Sequence, residues 1–465
     1  MDLGVDDIIG ATGADVLSRG PKTQVCTIST DSRTLQLGDW FVAINGPHFD
    51  GHDFVPAAFR QGAAGCIVDR AVGGPNAPDR WCLQVTDTVT ALGAIARCWR
   101  RRFTGVPCVA ITGSNGKSTT KEMAASIAEA RGPVLKTEGN FNNLIGLPLT
   151  VYRWGHEHRT AVCELGMSGV GEIARLTDIL APDVALITNV TAAHLEQLQT
   201  VENVATAKGE LFATMRRDGT VCVNMEDPHT RELGTRYPGT QITYGMQNGC
   251  DVQFGRMRAE GLAGTELTVY LRGEEKRLRL AVPGIHNVMN ALAAMAVGLA
   301  IGLPAATICE RLPHFQPMRM RMERVQLANG VQVVNDSYNA NPDSMAAALR
   351  TVGAVKRAGR FIVVLGDMLE LGSATEQAHR ELGAAAHAAG VQQLFVTGDH
   401  GAAVGAGARA AGMAADRIAV VASMDDLQRA VACGLHTGDV ILVKGSRGMR
   451  MERVVDFLKT EFGTG

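Results

Sequence analysis

The stretch VAITGSNGKSTTKEM, residues 109–123, decides the fold class of this chain. An apolar run ends in two glycines that enclose a polar pair, and a helix-like pattern follows at once. Glycines let backbone N–H groups turn toward an anion, and the start of a helix adds positive potential. Lys117 is then placed to reach the outer phosphates of a nucleotide, with Ser118 or Thr119 as a magnesium ligand. The stretch therefore predicts a phosphate-binding loop between a strand and a helix of an α/β fold.

This loop is shorter than the general phosphate-loop pattern. The pattern G-x-x-x-x-G-K-[ST] requires glycine at position 111, where this chain has Ile111, so the spacing is G-x-x-G-K-S. A glycine turn beside a surface lysine is the alternative interpretation. The strand pattern before the loop and the helix pattern after it argue against that alternative.

Two further strand ends carry side chains that suit a metal-bound phosphate. Glu164 follows the apolar run TAVC, while Asn189 and His194 follow DVALIT. Because ligands collect at the carboxyl ends of strands in open α/β sheets, we expect these side chains beside the phosphates. Glu164 offers the hard oxygen that Mg²⁺ prefers, whereas His194 is either a magnesium ligand or a hydrogen-bonding loop residue. Lys208, in the local sequence VATAKGELF, reads as a solvated lysine.

Strand and helix patterns recur along the chain in three segments. Residues 1–87 hold short strand-like runs around a helix, as in a small α/β domain. Residues 88–317 alternate apolar strands with helices, which indicates a doubly wound, mainly parallel sheet, with antiparallel hairpins at 250–280. Residues 318–465 hold five strand candidates between Ala-rich helices, as in a Rossmann-like α/β domain. The sequence thus predicts three domains in 465 residues.

Composition and charge exclude several function classes. Lys plus Arg number 45 against 47 Asp plus Glu, a net charge of −2, so no overall positive field attracts nucleic acid or an anionic membrane. Aromatic residues make up 5% and no basic strip accompanies them, which argues against a nucleic-acid stacking platform. The ten cysteines form no C-x-x-C pair and suit a reducing compartment. The N-terminus lacks signal-peptide features and no apolar run is long enough for a membrane span, so we expect a cytoplasmic protein.

Motifs in all three segments resemble those of the Mur ligases. The matching stretches are TDSRTLQLGDWFVAINGPHFDGHDFVPAA, TGSNGKSTTKEM, NVTAAHLE, AKGELF, GIHNVMNALAA, NDSYNANPDSM, GDMLELG and VKGSRGMRMERVV. The resemblance implies an ATP-dependent amide-bond ligase of peptidoglycan biosynthesis, with a monomer as the family expectation. DSYNANP and GDMLELG favour the member that adds D-alanyl-D-alanine to UDP-N-acetylmuramoyl-tripeptide.

The resemblance also implies how the nucleotide is held. ATP and two Mg²⁺ ions are the implied cofactors, with Lys117 on the β,γ-phosphates and Ser118, Glu164 and His194 on the magnesium sites. Lys208 matches a lysine that is carbamylated in several of these enzymes, a change that turns a cation into a carboxylate-like magnesium ligand. Lys117, Glu164, His194 and Lys208 thus form the implied catalytic set. The implied ATP-binding residues are Thr112, Gly113, Ser114, Asn115, Gly116, Lys117, Ser118, Thr119, His286, Asn287, Asn290, Arg321 and Asp336.

Three groups of positions match the family's substrate surfaces. The UDP-sugar surface is matched by Thr30, Asp31, Ser32, Arg33, Asn45 and Gly46. The peptide-facing stretch of the middle domain is matched by Asn140, Asn142 and Asn143. The dipeptide side is matched by Tyr338, Asn339 and Asn341, and anionic substrate groups by Lys444, Ser446 and Arg447. Turn chemistry and solvated charge are the alternative explanations for these residues.

One position departs from the family pattern. The family usually has Gly immediately before the arginine that reaches the phosphates, and this chain has Met320 before Arg321, in PMRMRME. The hinge geometry at this point is therefore open, and Arg319 is the alternative candidate for the same role.

Two other functions stay open at the level of sequence. A related ligase would add a different amino acid or extend folate with glutamate, and DSYNANP together with the TDSR-containing first domain disfavours it. A P-loop switch or transport ATPase would hydrolyse the nucleotide without forming an amide bond. A dedicated third domain of five strands disfavours that second alternative.

Overall fold

The computed structural model describes residues 2–72, 79–355 and 358–465, so residues 1, 73–78 and 356–357 of the predicted domains lie outside the description. The first segment contains two sheets. Its strands are β1 (Leu3–Gly4), β2 (Asp15–Ser18), β3 (Gln24–Val25), β4 (Ile28–Ser29), β5 (Trp40–Val42), β6 (Gly65–Val68) and β7 (Trp81–Gln84). Its helices are α1 (Val5–Thr12) and α2 (Val55–Arg60), and the central segment begins with α3 (Thr88–Arg100). β1 pairs with β3, and the other five strands lie in the order β2-β7-β6-β5-β4, parallel except at β2.

The central segment folds into a nine-stranded sheet flanked by helices. Its strands are β8 (Cys108–Thr112), β9 (Val134–Lys136), β10 (Thr160–Glu164), β11 (Val184–Ile187), β12 (Thr220–Asn224), β13 (Thr240–Gly245), β14 (Val252–Ala259), β15 (Thr265–Leu271) and β16 (Glu274–Leu280). Its helices are α4 (Lys117–Ala128), α5 (Gly146–Tyr152), α6 (Glu172–Leu180), α7 (Leu195–Leu198), α8 (Val201–Thr214), α9 (Pro228–Thr235), α10 (Ile285–Ala300) and α11 (Ala305–Arg311). The doubly wound parallel sheet and the antiparallel hairpins at 250–280 are confirmed.

The strand that precedes the glycine loop lies inside this sheet and is covered on both faces. Alternate side chains of β8 enter different cores, Cys108 and Ala110 on one face and Val109 and Ile111 on the other. A strand buried on both sides has no polar face, which explains its continuous apolar run. The sheet order is β16-β15-β14-β13-β12-β11-β8-β10-β9, so the chain leaves β8 toward one edge and later returns to its other side. Such a switch point leaves a crevice at the carboxyl ends of β8, β10 and β11.

The third segment forms a six-stranded sheet in the order β17-β18-β22-β19-β20-β21. Its strands are β17 (Glu323–Gln326), β18 (Gln332–Asp336), β19 (Phe361–Leu365), β20 (Gln393–Val396), β21 (Ile418–Val420) and β22 (Val440–Lys444). Its helices are α12 (Pro342–Gly353), α13 (Thr375–Ala388), α14 (Gly401–Ala410), α15 (Met424–Ala432) and α16 (Glu452–Phe462). The five predicted strands are confirmed. β17 is an additional edge strand, antiparallel to β18, and its charged sequence ERVQ lacks the apolar run that predicted the other five.

Short 3₁₀ helices complete the described structure, at Gly51–Phe54, Glu129–Arg131, Gly261–Ala263, Leu312–His314, Gly372–Ala374, Ala415–Arg417 and Arg447–Met449. Among the helices of the described ranges, none combines the length and the apolar composition needed to cross a membrane.

Candidate active site

The glycine loop adopts a backbone that only glycine takes without strain. Gly113 has φ +145° and Gly116 has φ +80°. A Cβ atom on Gly113 would lie 1.8 Å from Oγ1 of Thr188, and one on Gly116 would lie 2.2 Å from Oδ1 of Asn290. The backbone therefore approaches two neighbouring elements too closely for any side chain, so these two glycines are required by geometry.

The segment after β11 holds the polar pair of the loop in place. Ser114 N–H donates to the carbonyl oxygen of Asn189 at 2.9 Å, and Asn115 N–H donates to Oδ1 of the same residue at 2.9 Å. Thr188 Oγ1 donates to the Asn115 carbonyl oxygen at 2.6 Å. Since these bonds join the carboxyl ends of two adjacent strands, the loop is fixed before any ligand binds.

Gly116→Ala is expected to lower the free energy of unfolding by about 1–3 kcal/mol, because alanine there is strained and clashes with Asn290. Urea denaturation of both proteins measures the change. Gly10→Ala is the matched control, since Gly10 lies in α1 and an added Cβ would meet no described atom within 4 Å beyond its chain neighbours and the backbone of its own helix. The control should gain about 0.5–1 kcal/mol through helix propensity. Equal free energies of unfolding for Gly116→Ala and the wild type would contradict the conclusion that position 116 requires glycine.

Two lysines converge on the first glycine of the loop. Lys117 Nζ donates to the Gly113 carbonyl oxygen at 2.7 Å, and Lys208 Nζ donates to the same oxygen at 3.1 Å. Lys208 is 1% exposed, so its interpretation as a solvated lysine is wrong. Burial lowers the pKa of Lys117, with Glu164 opposing and Arg321 adding to the shift. Burial, helped by the charge of Lys117, lowers the pKa of Lys208 well below its ordinary value. Two lysine Nζ atoms thus meet at one carbonyl oxygen, and burial favours the loss of a proton from this pair.

Glu164, at the end of β10, presents one carboxylate oxygen that has no hydrogen-bond partner among the described residues. Asn142 Nδ2 donates to Oε1 at 2.8 Å, while the buried Oε2 accepts no hydrogen bond from the described residues. A buried carboxylate oxygen without a partner is costly, so such a group commonly serves a cation. The prediction that Glu164 offers a hard oxygen ligand therefore fits the residues present.

His194 lies beside the cavity in a left-handed turn, with φ +56°. Its Nδ1 is 2.8 Å from Oε2 of Glu370, a residue of the third segment. The hydrogen bond from His194 holds the pKa of the Glu370 carboxyl below its usual range.

The third segment also reaches the loop through Arg321 and Asn341. Arg321 Nη2 donates to Ser118 Oγ at 2.9 Å, and its guanidinium carbon lies 4.0 Å from the centre of the Tyr338 ring. Asn341 Nδ2 donates to Oδ1 of Asn115 at 2.7 Å. These contacts place residues of two predicted domains on the same glycine loop.

The departure at Met320 does not change the backbone course expected for glycine. Met320 has φ +59°, in the left-handed region that glycine favours, and its carbonyl oxygen accepts a 3.1 Å bond from Tyr338 N–H. Arg321 then points at the loop, whereas Arg319 is exposed. Of the two candidate arginines, Arg321 is the one that contacts the site.

The start of α10 borders the site from the opposite side of α4. His286 Nδ1 is buried without a partner among the described residues, and burial lowers the pKa of this histidine to about 4. Asn290 Oδ1 accepts from Thr120 Oγ1 at 3.3 Å, and Asn287 Nδ2 donates to the Pro283 carbonyl oxygen at 2.8 Å. A neutral imidazole with a free ring nitrogen can hydrogen-bond an uncharged ring or hydroxyl group.

These elements enclose one cavity of about 950 Å³, which is large enough for a nucleotide and a second substrate. The predicted residues that line it are Ser114, Asn115, Gly116, Lys117, Ser118, Thr119, Asn140, Asn142, Asn143, Glu164, Asn189, His194, Lys208, His286, Asn287, Asn290, Arg321, Asp336, Tyr338, Asn339, Asn341 and Lys444. Described residues that were predicted for the site but do not line the cavity are Thr30, Asp31, Ser32, Arg33, Asn45, Gly46, Thr112, Gly113, Ser446 and Arg447.

Some of the predicted substrate-binding residues form hydrogen bonds or ion pairs within the protein, which also account for a polar or charged side chain at these positions. Lys444 Nζ lies 2.6 Å from Oδ2 of Asp336 and also bonds two carbonyl oxygens, so its donors are used within the third segment. Ser446 Oγ accepts from Leu369 N–H at 2.9 Å. Arg447 pairs with Glu452 at 2.9 Å. These contacts hold loops in place at the carboxyl ends of β18 and β22.

Other lining residues were missed by sequence reasoning. They follow β12 or come from the third segment, and include Asn224, Glu226, Asp227, His229, Arg350 and Glu370. The signal for the first group was present, because β12 is a parallel neighbour of β11 and its carboxyl end must share the same edge. Glu370 gave no comparable signal, since it comes from a different sheet.

Across the described ranges, no group of three or more His, Cys, Asp or Glu side chains is arranged to hold a metal ion. Glu164 and His194 line the same cavity as Ser118, so a magnesium ion here would need oxygen atoms from a ligand as well.

Comparison with known proteins relates the whole chain to one family. Three family domains match in order: "Mur ligase family, catalytic domain" over residues 24–99, "Mur ligase middle domain" over 111–298, and "Mur ligase, glutamate ligase domain" over 320–447. The UDP-N-acetylmuramoyl-tripeptide–D-alanyl-D-alanine ligase of Bacillus subtilis (strain 168) is 37% identical over 435 residues, 93% of each chain.

Solved structures of similar proteins share the fold of the entire chain. A MurF crystal structure from Acinetobacter baumannii matches with a TM-score of 0.90 and 29% identity, covering 99% of both chains. A MurF ligase from Thermotoga maritima in complex with ADP matches with a TM-score of 0.83 and 28% identity, covering 94% of this chain and 97% of that one.

Proposed function

Because the chain belongs to the Mur ligase family, we propose that it joins D-alanyl-D-alanine to UDP-N-acetylmuramoyl-tripeptide in an ATP-dependent step of peptidoglycan biosynthesis. Relatives named for that reaction match nearly the whole chain. The observation that carries the proposal is the charge arrangement of the cavity, where two lysines converge on the glycine loop and Glu164 offers a buried oxygen without a partner among the described residues. That arrangement suits a metal-bound triphosphate.

The proposed reaction activates a carboxylate with phosphate. The terminal carboxylate oxygen of the tripeptide attacks the γ-phosphorus of ATP, and the bond from that phosphorus to the bridging oxygen breaks to release ADP. The amine of the dipeptide then attacks the acyl phosphate and loses a proton, and inorganic phosphate leaves with the electrons of the carbon–oxygen bond. ATP supplies the leaving group, so the protein's task is to neutralise charge and align the substrates.

Residues of the loop and of α10 would hold the nucleotide. The N–H groups at the start of α4 and the ammonium of Lys117 face the phosphates in this proposal, and Arg321 contacts them from the third segment. His286 and Asn287 border the ribose and base with neutral polar groups. Asp336 lines the same side, held by its ion pair with Lys444.

Ser118, Glu164 and His194 would hold Mg²⁺, which when bound neutralises phosphate charge. Lys208 completes this set if it carries a carbamate, as we propose. A carbamate forms from an unprotonated amine, R–NH₂ + CO₂ → R–NH–COO⁻ + H⁺, and the lowered pKa of Lys208 favours that form. The resulting anion would attract Lys117, where the bare ammonium repels it.

We assign one substrate to each domain, with the UDP-sugar on residues 1–87, ATP on 88–317 and the dipeptide on 318–465. The side chain of Arg33 is 87% exposed and lies outside the cavity lining, which suits the distant UDP end of a long substrate. Asn339 and Asn341 line the cavity from the third segment and suit the incoming dipeptide. Free cysteines, ten in all, favour a reducing cytoplasm as the site of the reaction.

The test is a phosphate-release assay with the full chain, ATP, Mg²⁺, UDP-N-acetylmuramoyl-tripeptide and D-Ala-D-Ala. Phosphate and the pentapeptide product, identified by mass, should appear together and only with the dipeptide present. Equal rates with D-Ala or glutamate would favour a related ligase. Phosphate release that ignores the dipeptide would favour a simple ATPase.

A further inference from the structure

A hydrogen bond between the central and third segments joins two residues that line the cavity, His194 and Glu370. His194 Nδ1 lies 2.8 Å from Oε2 of Glu370. A second contact runs alongside, since Glu196 N–H donates to the carbonyl oxygen of Glu370 at 3.2 Å. Both His194 and Glu370 adopt left-handed backbone, with φ +56° and +64°, which is uncommon for residues other than glycine. Backbone strain of this kind is concentrated at functional sites, so the contact between these two turns is a candidate functional contact.

The loop that carries Glu370 is positioned by the third segment. Met368 N–H donates to Nε2 of the buried His379 at 3.0 Å, and Leu369 N–H donates to Ser446 Oγ at 2.9 Å. At the end of the loop, a Cβ on Gly372 would lie 3.3 Å from the Cα of Glu196. Contacts within the third segment therefore fix the position of Glu370, while its partner His194 belongs to the central segment.

The chemistry of imidazole gives this contact a consequence. A neutral histidine carries one N–H, and a carboxylate at Nδ1 keeps the proton there, so Nε2 retains its lone pair. Histidines that bind metals commonly donate their other N–H to a carboxylate in this way. We propose that Glu370 is a positioning residue, supplied by the C-terminal domain, that fixes the Nδ1–H tautomer of His194 and so leaves Nε2 for magnesium. This inference rests on the proposed function, in which His194 is a magnesium ligand.

A ligand oriented from another domain couples metal binding to domain position. Any separation of the third segment from the central segment would take the Glu370 carboxylate away from His194. Magnesium binding to the oriented histidine would then favour the contact between the two segments by the same factor.

The test compares Glu370→Ala and Glu370→Gln with the wild type in the full chain. Long-range ¹H–¹⁵N NMR, with His194→Ala to assign the signals, should show the Nδ1–H tautomer in the wild type and its loss in Glu370→Ala. The Mg²⁺ concentration for half-maximal activity should rise about 10–100-fold in Glu370→Ala. The rise should be smaller in Glu370→Gln, whose amide oxygen still accepts. Glu376→Gln is the matched control, because Glu376 is an exposed carboxylate of the same domain paired with Arg380.

The double variant His194→Ala/Glu370→Ala should need no more Mg²⁺ than His194→Ala alone, because Glu370 acts through the histidine. An Nε2–H tautomer in the wild type, or an unchanged tautomer and Mg²⁺ requirement in Glu370→Ala, would overturn the inference. The NMR result needs no turnover. Failure of the ligase assay would therefore contradict the proposed function alone. The NMR result would still show whether Glu370 fixes the tautomer of His194.

Discussion

Lys117→Ala is expected to lower the turnover of the ligase reaction about a thousandfold. The ammonium of Lys117 bonds the carbonyl oxygens of Gly113 and Ser114, at 2.7 Å and 3.3 Å, and so stays at the loop where the outer phosphates would bind. Its removal takes away one of the cations that would neutralise the charge developing on the transferring phosphoryl group. The rate of phosphate release at saturating ATP, tripeptide and dipeptide measures the loss.

Lys459→Ala is the matched control for this experiment, because Lys459 lies on α16 beside Asp456 and away from the cavity. It should keep the wild-type rate. Circular dichroism and urea denaturation of both variants would show that each one folds. A Lys117→Ala enzyme with more than a tenth of the wild-type rate would contradict the assignment of Lys117 to the phosphates.

Lys208→Ala is expected to lower turnover by about two to three orders of magnitude, comparable to the loss of one strong electrostatic group. A short carboxylate such as acetate or formate should restore part of that rate, because it can occupy the space of the carbamate and supply its charge. The wild type, equilibrated with ¹³C-labelled bicarbonate, should show a carbamate signal in ¹³C NMR that Lys208→Ala lacks. The NMR readout is independent of turnover.

Lys136→Ala is the control for the carbamate experiment, since the half-exposed Lys136 pairs with Glu122 outside the cavity lining. It should keep both the carbamate signal and the wild-type rate. Without any rescue by carboxylates and without a labelled carbamate, Lys208 would act as an unmodified hydrogen-bond donor to the glycine loop. The Gly113 contact at 3.1 Å would then be its role.

Local patterns predicted the parts of the site that follow directly from a strand. Glu164 and the loop from Gly113 to Ser118 come at the ends of apolar runs, and parallel strands bring such ends to one edge. The same reasoning applied to β12 would have found Asn224 and Asp227. When the residues of a site follow one strand directly, residues that are close in the sequence are also close in the folded protein.

The surroundings of a residue could not be predicted from local sequence where its contacts come from another helix, strand or domain. Lys208 has the local sequence of a solvated helix residue, and it is buried only because α8 packs its side chain against the glycine loop. Lys444 is predicted to meet anionic substrate groups and lines the cavity, and only the folded structure shows that it also bonds Asp336 and two carbonyl oxygens. Met320 occupies a backbone conformation suited to glycine, which only the dihedral angle reveals.

The sequence by itself determined the α/β fold and the glycine loop, because apolar periodicity and glycine spacing are properties of consecutive residues. Its motifs carried the resemblance to the family. The tertiary structure alone decided which nitrogen of His194 meets Glu370, which lysines share the Gly113 carbonyl and which arginine reaches Ser118. These contacts join residues far apart in the chain, and their distances are set by the packing of domains rather than by local spacing. Burial then shifts the pKa values of Lys117 and Lys208, so the charge state of the site is a property of the folded molecule.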